Sequence, residues 1–520
     1  MIWRVQNESI VVTAAEQRRI DALALERGAA PDDLIESAGT AAAEWILDQA
    51  TAQRAAVVAG PGGNGADALV VARRLLEAGI GVRAFLFAMA GAPSEPVERA
   101  LRRLQTAGGD VTAIDETDLG PLERAVGWAN VAIDGLYGSG LSRPLDGAAA
   151  GVVDLLNRSS VLTISLDMPS GLATDAGEVP GPAVKADVTL AMEFLKPAHL
   201  FFPASGLCGN VVVITVEYPP DALAEVMAWA RVLDRAGVKR RLPPRPPTGH
   251  KGTFGHGLLV AGSRGMVGAA ILAGRSALRA GLGLLTIGIP ASLAAAVHAA
   301  LPEALVVPLA EESGCLVPEA IAQLAPSFGR VDVLAIGPGL SRSEGTCEAV
   351  CAALEAYGGP VVVDADALYA TSQRPETLAA LAGHAILTPH PGELAFFTGA
   401  SATEIDRRRV EEAARFAVGH GVITILKGRP TVIAFPGGAR YLNPTGNAGL
   451  ATGGSGDVLT GLLVGLVAGG ASLEDAALVG PYVHGAAAEL FSLDHSERSL
   501  LPSDVIELLP RAFREIERCA

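Results

Sequence analysis

The chain has 520 residues, of which 50% are hydrophobic, 61 are glycine and only 4% are aromatic. A formal net charge of −16 disfavours a nucleic-acid partner, since polyphosphate backbones bind basic surfaces, and the scarcity of aromatic side chains argues against base-stacking platforms. The length exceeds what one hydrophobic core supports and indicates two or three domains of roughly 150 to 200 residues.

The N-terminal residues, the apolar stretches and the cysteines further limit the class of protein. The first 13 residues carry Arg4 and Glu8 without an apolar core, so we expect no signal peptide. Apolar stretches are interrupted by glycine and fall short of the roughly 20 residues that a membrane span needs, which predicts a cytoplasmic protein. The cysteines form no CxxC pair, and Cys347 and Cys351 lie on one face of a predicted helix, so we expect buried free thiols. These are Cys208, Cys315, Cys347, Cys351 and Cys519.

The N-terminal half alternates short apolar runs with helical stretches, a pattern typical of parallel sheets. Predicted buried strands are residues 55–59, 131–133, 161–166 and 211–216, and a helix is predicted over 66–78. Three of these strands are followed by a polar or glycine-rich loop: GPGGNGAD at 60–67, DGLYGSGLSRP at 134–144, and DMPSGL at 167–172. Since ligands bind at the carboxyl ends of strands in open α/β sheets, we expect one shared crevice.

The residue types in these loops favour a phosphate-binding site but leave the roles of Asp67 and Lys196 open. The first loop lacks the GxGxxG pattern, so ordinary dinucleotide binding is weakly supported. The second combines Asp134, three glycines and Arg143, which suits a phosphate with a cation nearby. Asp67 is either part of the site or a helix cap. Lys196 is either a solvated lysine or, given its apolar neighbours, a desolvated lysine that can exchange protons.

A proline cluster at residues 243–247, preceded by a basic run at 239–241, predicts an extended connector, because consecutive prolines fit neither a helix nor a central strand. We therefore predict an N-terminal domain over 1–220, a linker region over 221–248 and a C-terminal domain over 249–520. In the C-terminal domain the alternation resumes, with strands predicted at 257–261, 284–289, 333–336, 361–363, 385–387 and 422–426.

The most informative segment is NAGLATGGSGDVLTG at 447–461, in which Asp457 is the only ionisable group. An apolar run follows at once, so the loop is predicted to open a helix whose backbone N–H groups favour phosphate oxygens. A carboxylate there is useful if it takes a proton from the group that attacks the phosphate. The alternative is a glycine-rich turn before a core helix.

Further C-terminal motifs accompany this loop: HKGTFG (250–255), GSRGMVGAA (262–270), GPGL (337–340), DADAL (364–368), TPHPGE (388–393) and KGRPT (427–431). Together they resemble the carbohydrate-kinase-like NAD(P)H-hydrate dehydratases. The N-terminal loops and Lys196 similarly resemble the NAD(P)H-hydrate epimerases. The resemblance covers nearly the whole chain and implies a bifunctional repair enzyme, with a Rossmann-like α/β/α domain followed by a ribokinase-like α/β domain.

For the dehydratase domain the resemblance implies that Asp457 is the base at the substrate hydroxyl and that Ala269, Gly339 and His390 line the hydrated nicotinamide site. His390 could equally cap the turn before Pro391. The family couples nucleotide hydrolysis to loss of water from the hydrate, with ADP expected rather than ATP, and with Mg²⁺. The implied nucleotide-binding residues are Lys427, Gly428, Arg429, Pro430, Thr431, Gly453, Gly454, Ser455 and Gly456.

For the epimerase domain the resemblance implies a K⁺ ion at Asn64, Asp134 and Ser170, and proton transfer at C6 of the hydrate by Asp167 and Lys196. The implied contacts to hydrated NADH or NADPH are Gly63, Asn64, Gly65, Ala66, Asp67, Gly138, Ser139, Gly140, Leu141, Ser142, Arg143, Pro144 and Asp167. A homo-oligomer, a tetramer or larger, is also expected.

The N-terminal loop departs from the family pattern NNGGDG. Gly63 replaces the first Asn, and Ala66 and Ala68 replace the second and third Gly, while Ser37 stands where Asn is common. A methyl group at Ala66 would conflict with a positive φ or a close ligand contact. Two alternatives therefore stay open: an inactive N-terminal binding or assembly module beside a working dehydratase, and a small-molecule kinase with a stable phosphorylated product.

Overall fold

The computed structural model describes residues 9–87, 93–115, 117–141 and 143–519. The chain divides into two compact units, Met1–Arg231 and Val232–Ala520, and the division lies inside the predicted linker region. Arg4, Glu8 and Ser142 lie outside the described residues, so the expectations on the first residues and on Ser142 stay predictions. No helix in the described ranges is long and apolar enough to cross a membrane.

The N-terminal unit is built on a parallel sheet whose described strands lie in the order β4-β3-β2-β5-β6-β7-β8. In chain order the elements are β1 (Ser9–Val11), α1 (Ala14–Glu26), α2 (Pro31–Gln49), β2 (Arg54–Ala59), α3 (Gly63–Glu77), β3 (Gly81–Leu86), α4 (Glu95–Thr106), β4 (Val111–Ala113), α5 (Gly120–Trp128), β5 (Val131–Gly135), α6 (Gly147–Arg158), β6 (Leu162–Leu166), β7 (Val188–Met192), β8 (Asn210–Ile214) and α7 (Pro220–Ala224), with β9 (Ala230–Val232) at the division.

Helices cover both faces of this sheet because the side chains of each strand alternate between two hydrophobic cores. On β2, Val57 packs into a core with α2, α3 and α4, whereas Ala56 and Val58 pack into another with α5 and α6. The expected α/β/α arrangement is confirmed, as are the strands predicted around residues 55–59, 131–133, 161–166 and 211–216. The sequence pattern did not identify β3, β4 or β7.

The C-terminal unit has its own sheet, in which the described strands lie in the order β20-β19-β18-β17-β16-β15-β10-β11-β12. Neighbours are parallel except β18-β19-β20, which are antiparallel. The elements are α8 (Arg235–Arg241), β10 (His256–Val260), α9 (Val267–Arg279), β11 (Leu284–Pro290), α10 (Ala294–Ala300), β12 (Leu305–Leu309), β13 (Glu311–Glu312), β14 (Cys315–Leu316), α11 (Ile321–Phe328), β15 (Val333–Ile336), α12 (Glu344–Ala356), β16 (Val361–Val363), α13 (Asp366–Ser372), α14 (Pro375–Ala380), β17 (Ala385–Leu387), α15 (Pro391–Thr398), α16 (Ala402–Arg407), α17 (Arg409–His420), β18 (Ile423–Leu426), β19 (Thr431–Ala434), β20 (Arg440–Asn443), α18 (Ser455–Ala468), α19 (Leu473–Phe491) and α20 (Pro502–Glu517).

The proline cluster lacks regular secondary structure, as predicted, but it packs within the C-terminal unit rather than at the division. Arg245 holds it there, because its guanidinium lies 4.1 Å from the ring centroid of Phe254 and donates to the carbonyl of Gly281 at 2.7 Å. All six strands predicted for this unit are present.

The expectation of buried free thiols is only partly right. All five cysteines are free, but only Cys208 and Cys351 are buried. The prediction is wrong for the other three, which are partly exposed: Cys315 lies in the β13–β14 hairpin, Cys347 in the first turn of α12, and Cys519 after the end of α20.

Candidate active sites

In the N-terminal unit, Asp167 and Lys196 form a buried ion pair. Asp167 follows β6, Lys196 lies beyond the neighbouring strand β7 and is only 1% exposed, and Lys196 Nζ is 2.6 Å from Asp167 Oδ1. Burial raises the pKa of Asp167, but the charge and hydrogen bond of Lys196 outweigh it and hold that pKa below its usual value. The structure thus confirms a desolvated lysine and brings the two predicted proton-transfer residues together.

This pair lines a cavity of about 480 Å³. Most of the predicted binding residues also line it, namely Gly63, Asn64, Asp67, Gly138, Ser139, Gly140 and Leu141. Four predicted residues in the described ranges are not among those that line the cavity: Gly65 and Ala66, which are buried in α3, and Arg143 and Pro144, which are exposed.

One wall of the cavity was not anticipated from the sequence. Gln17 and Asp21 of α1 line it together with Tyr218. The hydroxyl of Tyr218 donates to Asp21 at 2.6 Å, and Gln17 Nε2 donates to the same carboxylate oxygen at 3.0 Å. These residues lie outside the glycine-rich loops, so no local pattern marked them.

Residues 63–67 form the first turn of α3 rather than a loop, and the helix begins three residues before its predicted start. Gly65 is required there, because a Cβ would lie 1.9 Å from the carbonyl oxygen of Gly60. Ala66 is buried with helical backbone, so its methyl group meets no left-handed conformation and the predicted conflict is wrong on that point. Gly62 is the N-cap, which excludes Asp67 as the cap.

Asp67 instead faces two other carboxylates. Burial raises its pKa well above the usual value, and the charges of Asp167 and Asp21 raise it further. Burial therefore favours the protonated form of Asp67, and a protonated carboxyl group can donate a hydrogen bond.

The three residues proposed for K⁺ offer oxygen atoms in a buried setting. Asp134 is fully buried and accepts hydrogen bonds from Ser170 Oγ at 2.6 Å and from Ser165 Oγ at 2.8 Å. Burial raises the pKa of Asp134, and the hydrogen bonds from Ser170 and Ser165 oppose that rise. Both polar atoms of the Asn64 side chain are buried without a partner. Amide, hydroxyl and carboxylate oxygens are donor types that suit a hard monovalent cation, and the buried amide oxygen of Asn64 has no other partner.

In the C-terminal unit, the glycine-rich turn opens α18 as predicted. Gly454 is the N-cap with a φ of 98°, a left-handed conformation that favours glycine, and the apolar run that follows is buried. Asp457 lies in the first turn of this helix. A Cβ at Gly456 would lie 3.5 Å from Lys427 Nζ, which places the turn directly beside this lysine.

Asp364 holds the centre of this site. It accepts hydrogen bonds from Lys427 Nζ at 2.9 Å, from Thr388 Oγ1 at 2.7 Å and from Thr460 Oγ1 at 2.7 Å. Burial raises the pKa of Asp457 to about 7, and the negative charge of Asp364 contributes while Lys427 opposes it. A carboxylate with this pKa is suited to general-base catalysis near neutral pH. Although DADAL was noted, the role of Asp364 was not predicted.

Of the three residues predicted to line the nicotinamide site, direct contacts join only Ala269 and Gly339 within the described part of the chain. A Cβ at Gly339 would lie 2.9 Å from the Cβ of Ala269, so these two adjoin. His390 caps α15, since its Nδ1 accepts from the N–H of Glu393 while Glu393 Oε2 accepts from the N–H of His390 at 2.8 Å. The capping interpretation of His390 is confirmed, and its side chain is 56% exposed, with Nε2 lying 3.6 Å from Glu393 Oε1.

The segment 427–431 links β18 to β19 and is held from below by Arg409. This buried arginine donates to the carbonyl of Pro430 at 2.5 Å and to that of Lys427 at 3.3 Å. A Cβ at Gly428 would lie 2.0 Å from its guanidinium. Arg409 was missed because it lies in α17, far from any motif.

These sites define a class of protein: a tandem α/β chain with a buried carboxylate–lysine pair in one unit and, in the other, a glycine-rich turn that opens a helix bearing an aspartate of raised pKa. Two family models match it, one described as NAD(P)H-hydrate dehydratase over residues 257–511 and one as YjeF-related protein N-terminus over residues 31–198.

The chain is 37% identical to the bifunctional NAD(P)H-hydrate repair enzyme Nnr of Moorella thermoacetica, over 98% of this chain and 97% of the relative. It therefore belongs to the family of bifunctional NAD(P)H-hydrate repair enzymes. Among solved structures, a ribokinase-like superfamily protein from Enterococcus faecalis matches 56% of this chain and 98% of its own, at 23% identity and a TM-score of 0.50, which shows the fold of the C-terminal unit. The ADP/ATP-dependent NAD(P)H-hydrate dehydratase of Bacillus subtilis, co-crystallised with ATP/Mg²⁺, is 36% identical over 55% of this chain and 98% of its own, at a TM-score of 0.46.

Proposed function

We propose that this chain restores hydrated NADH and NADPH in two reactions. The N-terminal unit interconverts the R and S hydrates, and the C-terminal unit dehydrates the S form at the expense of ADP. The observation that carries the proposal is Asp457, whose pKa is raised to about 7 at the N-terminus of α18, beside Lys427 and Asp364. This arrangement suits proton removal from a hydroxyl that attacks a phosphate.

In the dehydratase reaction, Asp457 takes the proton of the substrate's C6 hydroxyl. The hydroxyl oxygen attacks the terminal phosphorus of ADP at the same time, and AMP leaves. The ring nitrogen lone pair then expels phosphate from C6, and loss of a proton from C5 gives the reduced nicotinamide. Phosphorylation is needed because hydroxide is a poor leaving group and phosphate a good one. The sum is hydrate plus ADP to NAD(P)H, AMP and phosphate.

The nucleotide would lie between residues 427–431 and the turn at 453–456. The N–H groups at the start of α18 and the ammonium of Lys427 suit its phosphates. Mg²⁺ would enter with the nucleotide and offset phosphate charge. The relative from Bacillus subtilis is named ADP/ATP-dependent, which supports an adenine nucleotide, and our preference for ADP over ATP is a proposal.

The hydrated nicotinamide would contact Ala269, Gly339 and His390. The adjoining positions of Ala269 and Gly339 support a narrow slot, and the exposed ring of His390 supports a hydrogen bond at its edge. The hydrate must place its C6 hydroxyl against Asp457.

In the epimerase reaction, Asp167 and Lys196 would act as the base and acid at C6. The dinucleotide would occupy the cavity, against residues 63–67 and 138–144. Asn64, Asp134 and Ser170 would hold K⁺, which would steady these segments and offset substrate phosphate charge. The buried, unpaired side chain of Asn64 supports a ligand at this point. A homo-oligomer and a cytoplasmic location remain predictions.

The test follows absorbance at 340 nm, the reduced nicotinamide band, from mixed R and S hydrates of NADH with ADP, ATP or no nucleotide. We expect ADP-dependent recovery to completion in the wild type, none in Asp457→Ala, and a stall near half in Asp167→Ala. Absence of recovery with both nucleotides would refute the dehydratase, and a stable phosphorylated product would indicate the kinase alternative. A stall near half in the wild type would indicate an inactive N-terminal module.

A further inference from the structure

His199 lies directly behind the Asp167–Lys196 pair, and no part of the proposed chemistry uses it. It ends a one-turn helix, Pro197–His199, that begins immediately after Lys196, and its side chain is fully buried. It is not among the residues that line the cavity. A buried polar ring that does not touch the cavity must serve groups inside the protein.

Both ring nitrogens of His199 are bonded to the backbones of the two proposed catalytic residues. Nδ1 lies 3.1 Å from the backbone N of Lys196, and Nε2 lies 2.9 Å from the backbone O of Asp167. The first partner can only donate and the second can only accept. The ring is therefore neutral with its proton on Nε2, since an imidazolium has no acceptor.

Burial and the nearby charge of Lys196 lower the pKa of His199 to about 4. The neutral ring is therefore favoured near neutral pH, and His199 acts there as a fixed hydrogen-bonding group rather than as a titrating one.

The backbone of Asp167 needs this support. Its φ is 60°, a left-handed conformation that is rare for residues other than glycine, and the N–H of Met168 donates to the carbonyl of Leu166 at 2.7 Å across it. This is the hydrogen bond of a tight γ-turn, and a positive φ at its centre marks the strained form. The Asp167 carbonyl accepts from His199 Nε2, so this donor stabilises the backbone conformation in which the carboxylate contacts Lys196.

We propose that His199 is a positioning residue for epimerisation, which fixes the backbones of Asp167 and Lys196 so that their side chains meet the same carbon. The inference rests on the proposed epimerase function. Its consequence is specific: loss of the ring nitrogens lowers kcat, because proton transfer depends on sub-ångström placement, and leaves KM unchanged, because His199 does not line the cavity.

The test uses the full chain and pure R hydrate of NADH, with the S hydrate formed measured by chromatography. His199→Phe removes both hydrogen bonds while keeping a planar ring, and His199→Gln keeps one acceptor and one donor. Cys208→Ala is the matched control, because this buried residue follows closely in the chain and its thiol approaches the carbonyls of Ala198 and Ala204 rather than Asp167 or Lys196. Dehydration of the S hydrate with ADP reports on the other unit of each variant.

We expect His199→Phe to lower the epimerisation kcat on the order of 10- to 100-fold with KM unchanged. His199→Gln should recover part of that loss, and Cys208→Ala should keep the wild-type kcat despite lower thermal stability. If His199→Phe does not fold, a lowered kcat with unchanged KM in His199→Gln supports the proposal. Unchanged kcat in both His199 variants, a kcat loss in Cys208→Ala as large as theirs, or a raised KM with unchanged kcat would overturn it. A wild type without epimerase activity would refute the proposed function and, with it, this inference.

Discussion

Replacing Asp364 with Asn is expected to shift the pH dependence of the dehydratase reaction to lower pH. A general base works only when deprotonated, so the rate should rise as the pH rises through the pKa of Asp457, about 7 in the wild type, and fall below it. The negative charge of Asp364 is one cause of that raised pKa, after burial. Asn keeps the size of the side chain and removes the charge.

The size of the shift follows from the geometry of α18. Thr460 lies one helical turn after Asp457, and its Oγ1 is 2.7 Å from Asp364 Oδ2, so the two carboxylates are roughly 7 Å apart. At an effective dielectric constant near 20, two unit charges at that distance repel by about 2 kcal/mol. This corresponds to a decrease of about 1.5 units in the pKa of Asp457. Lys427 also loses its ion pair with Asp364 while it keeps Glu393 at 3.5 Å, and its less neutralised positive charge lowers the pKa of Asp457 as well.

The assay measures kcat/KM for the S hydrate with ADP across the acidic limb of the pH profile. Thr460→Val is the matched control, since it removes a hydrogen bond from Asp364 without changing its charge. We expect the limb of Asp364→Asn to move to lower pH and that of Thr460→Val to stay within a few tenths of a unit. An acidic limb that does not move in Asp364→Asn, or that moves as far in Thr460→Val, would refute the assignment of the limb to Asp457.

Three further changes test other parts of the two sites. Lys196→Met leaves Asp167 buried without its cation and should lower the unfolding free energy of the N-terminal unit by about 3–5 kcal/mol at neutral pH, measured by urea denaturation. In this variant the pKa of Asp167 rises above its value in the unfolded chain, so protonation of Asp167 stabilises the folded state. The loss of unfolding free energy relative to the wild type should therefore shrink as the pH falls from about 8 to about 5, and a loss that does not change with pH would contradict this. Gly454→Ala places a Cβ 2.8 Å from Leu272 Cδ1 at a φ of 98° and should lower the free energy of unfolding by about 1–2 kcal/mol. An unchanged denaturation midpoint would contradict the left-handed conformation of this residue. Exchange of K⁺ for tetramethylammonium should slow epimerisation by the wild type. The same exchange should not change the rate of Asn64→Leu, and an equal decrease in rate for both proteins would argue against Asn64 as a K⁺ ligand.

Much of the fold could be predicted because it depends on interactions between near neighbours in the sequence. Continuous apolar runs such as 333–336 and 361–363 favour buried strands, and both are strands in the structure. The glycine turn before α18 could also be predicted from the sequence, since a left-handed N-cap favours glycine and the apolar run that follows favours burial. Short or half-exposed strands, such as β4, gave too weak a pattern to be recognised.

The resemblance to known enzymes supplied most of the proposed site residues, and the structure changes how several of them are understood. Residues 63–67 belong to a helix, Asp67 is a buried carboxyl group rather than a cap, and His390 is a cap. The departure at Ala66 proved compatible with the backbone, because the position is helical. These outcomes depend on where α3 and α15 begin, which local propensity defines only to within a few residues.

The sequence by itself determined two α/β units, the strand ends that carry polar groups, and the turn that presents Asp457. Only the tertiary structure decided which distant side chains meet. The order of the sheet places β6 beside β7 and so joins Asp167 to Lys196, with His199 behind them, and it brings Asp364 to Lys427. Short-range patterns reflect which face of an element is buried, whereas hydrogen bonds between residues far apart in the chain depend on how those elements are arranged in space.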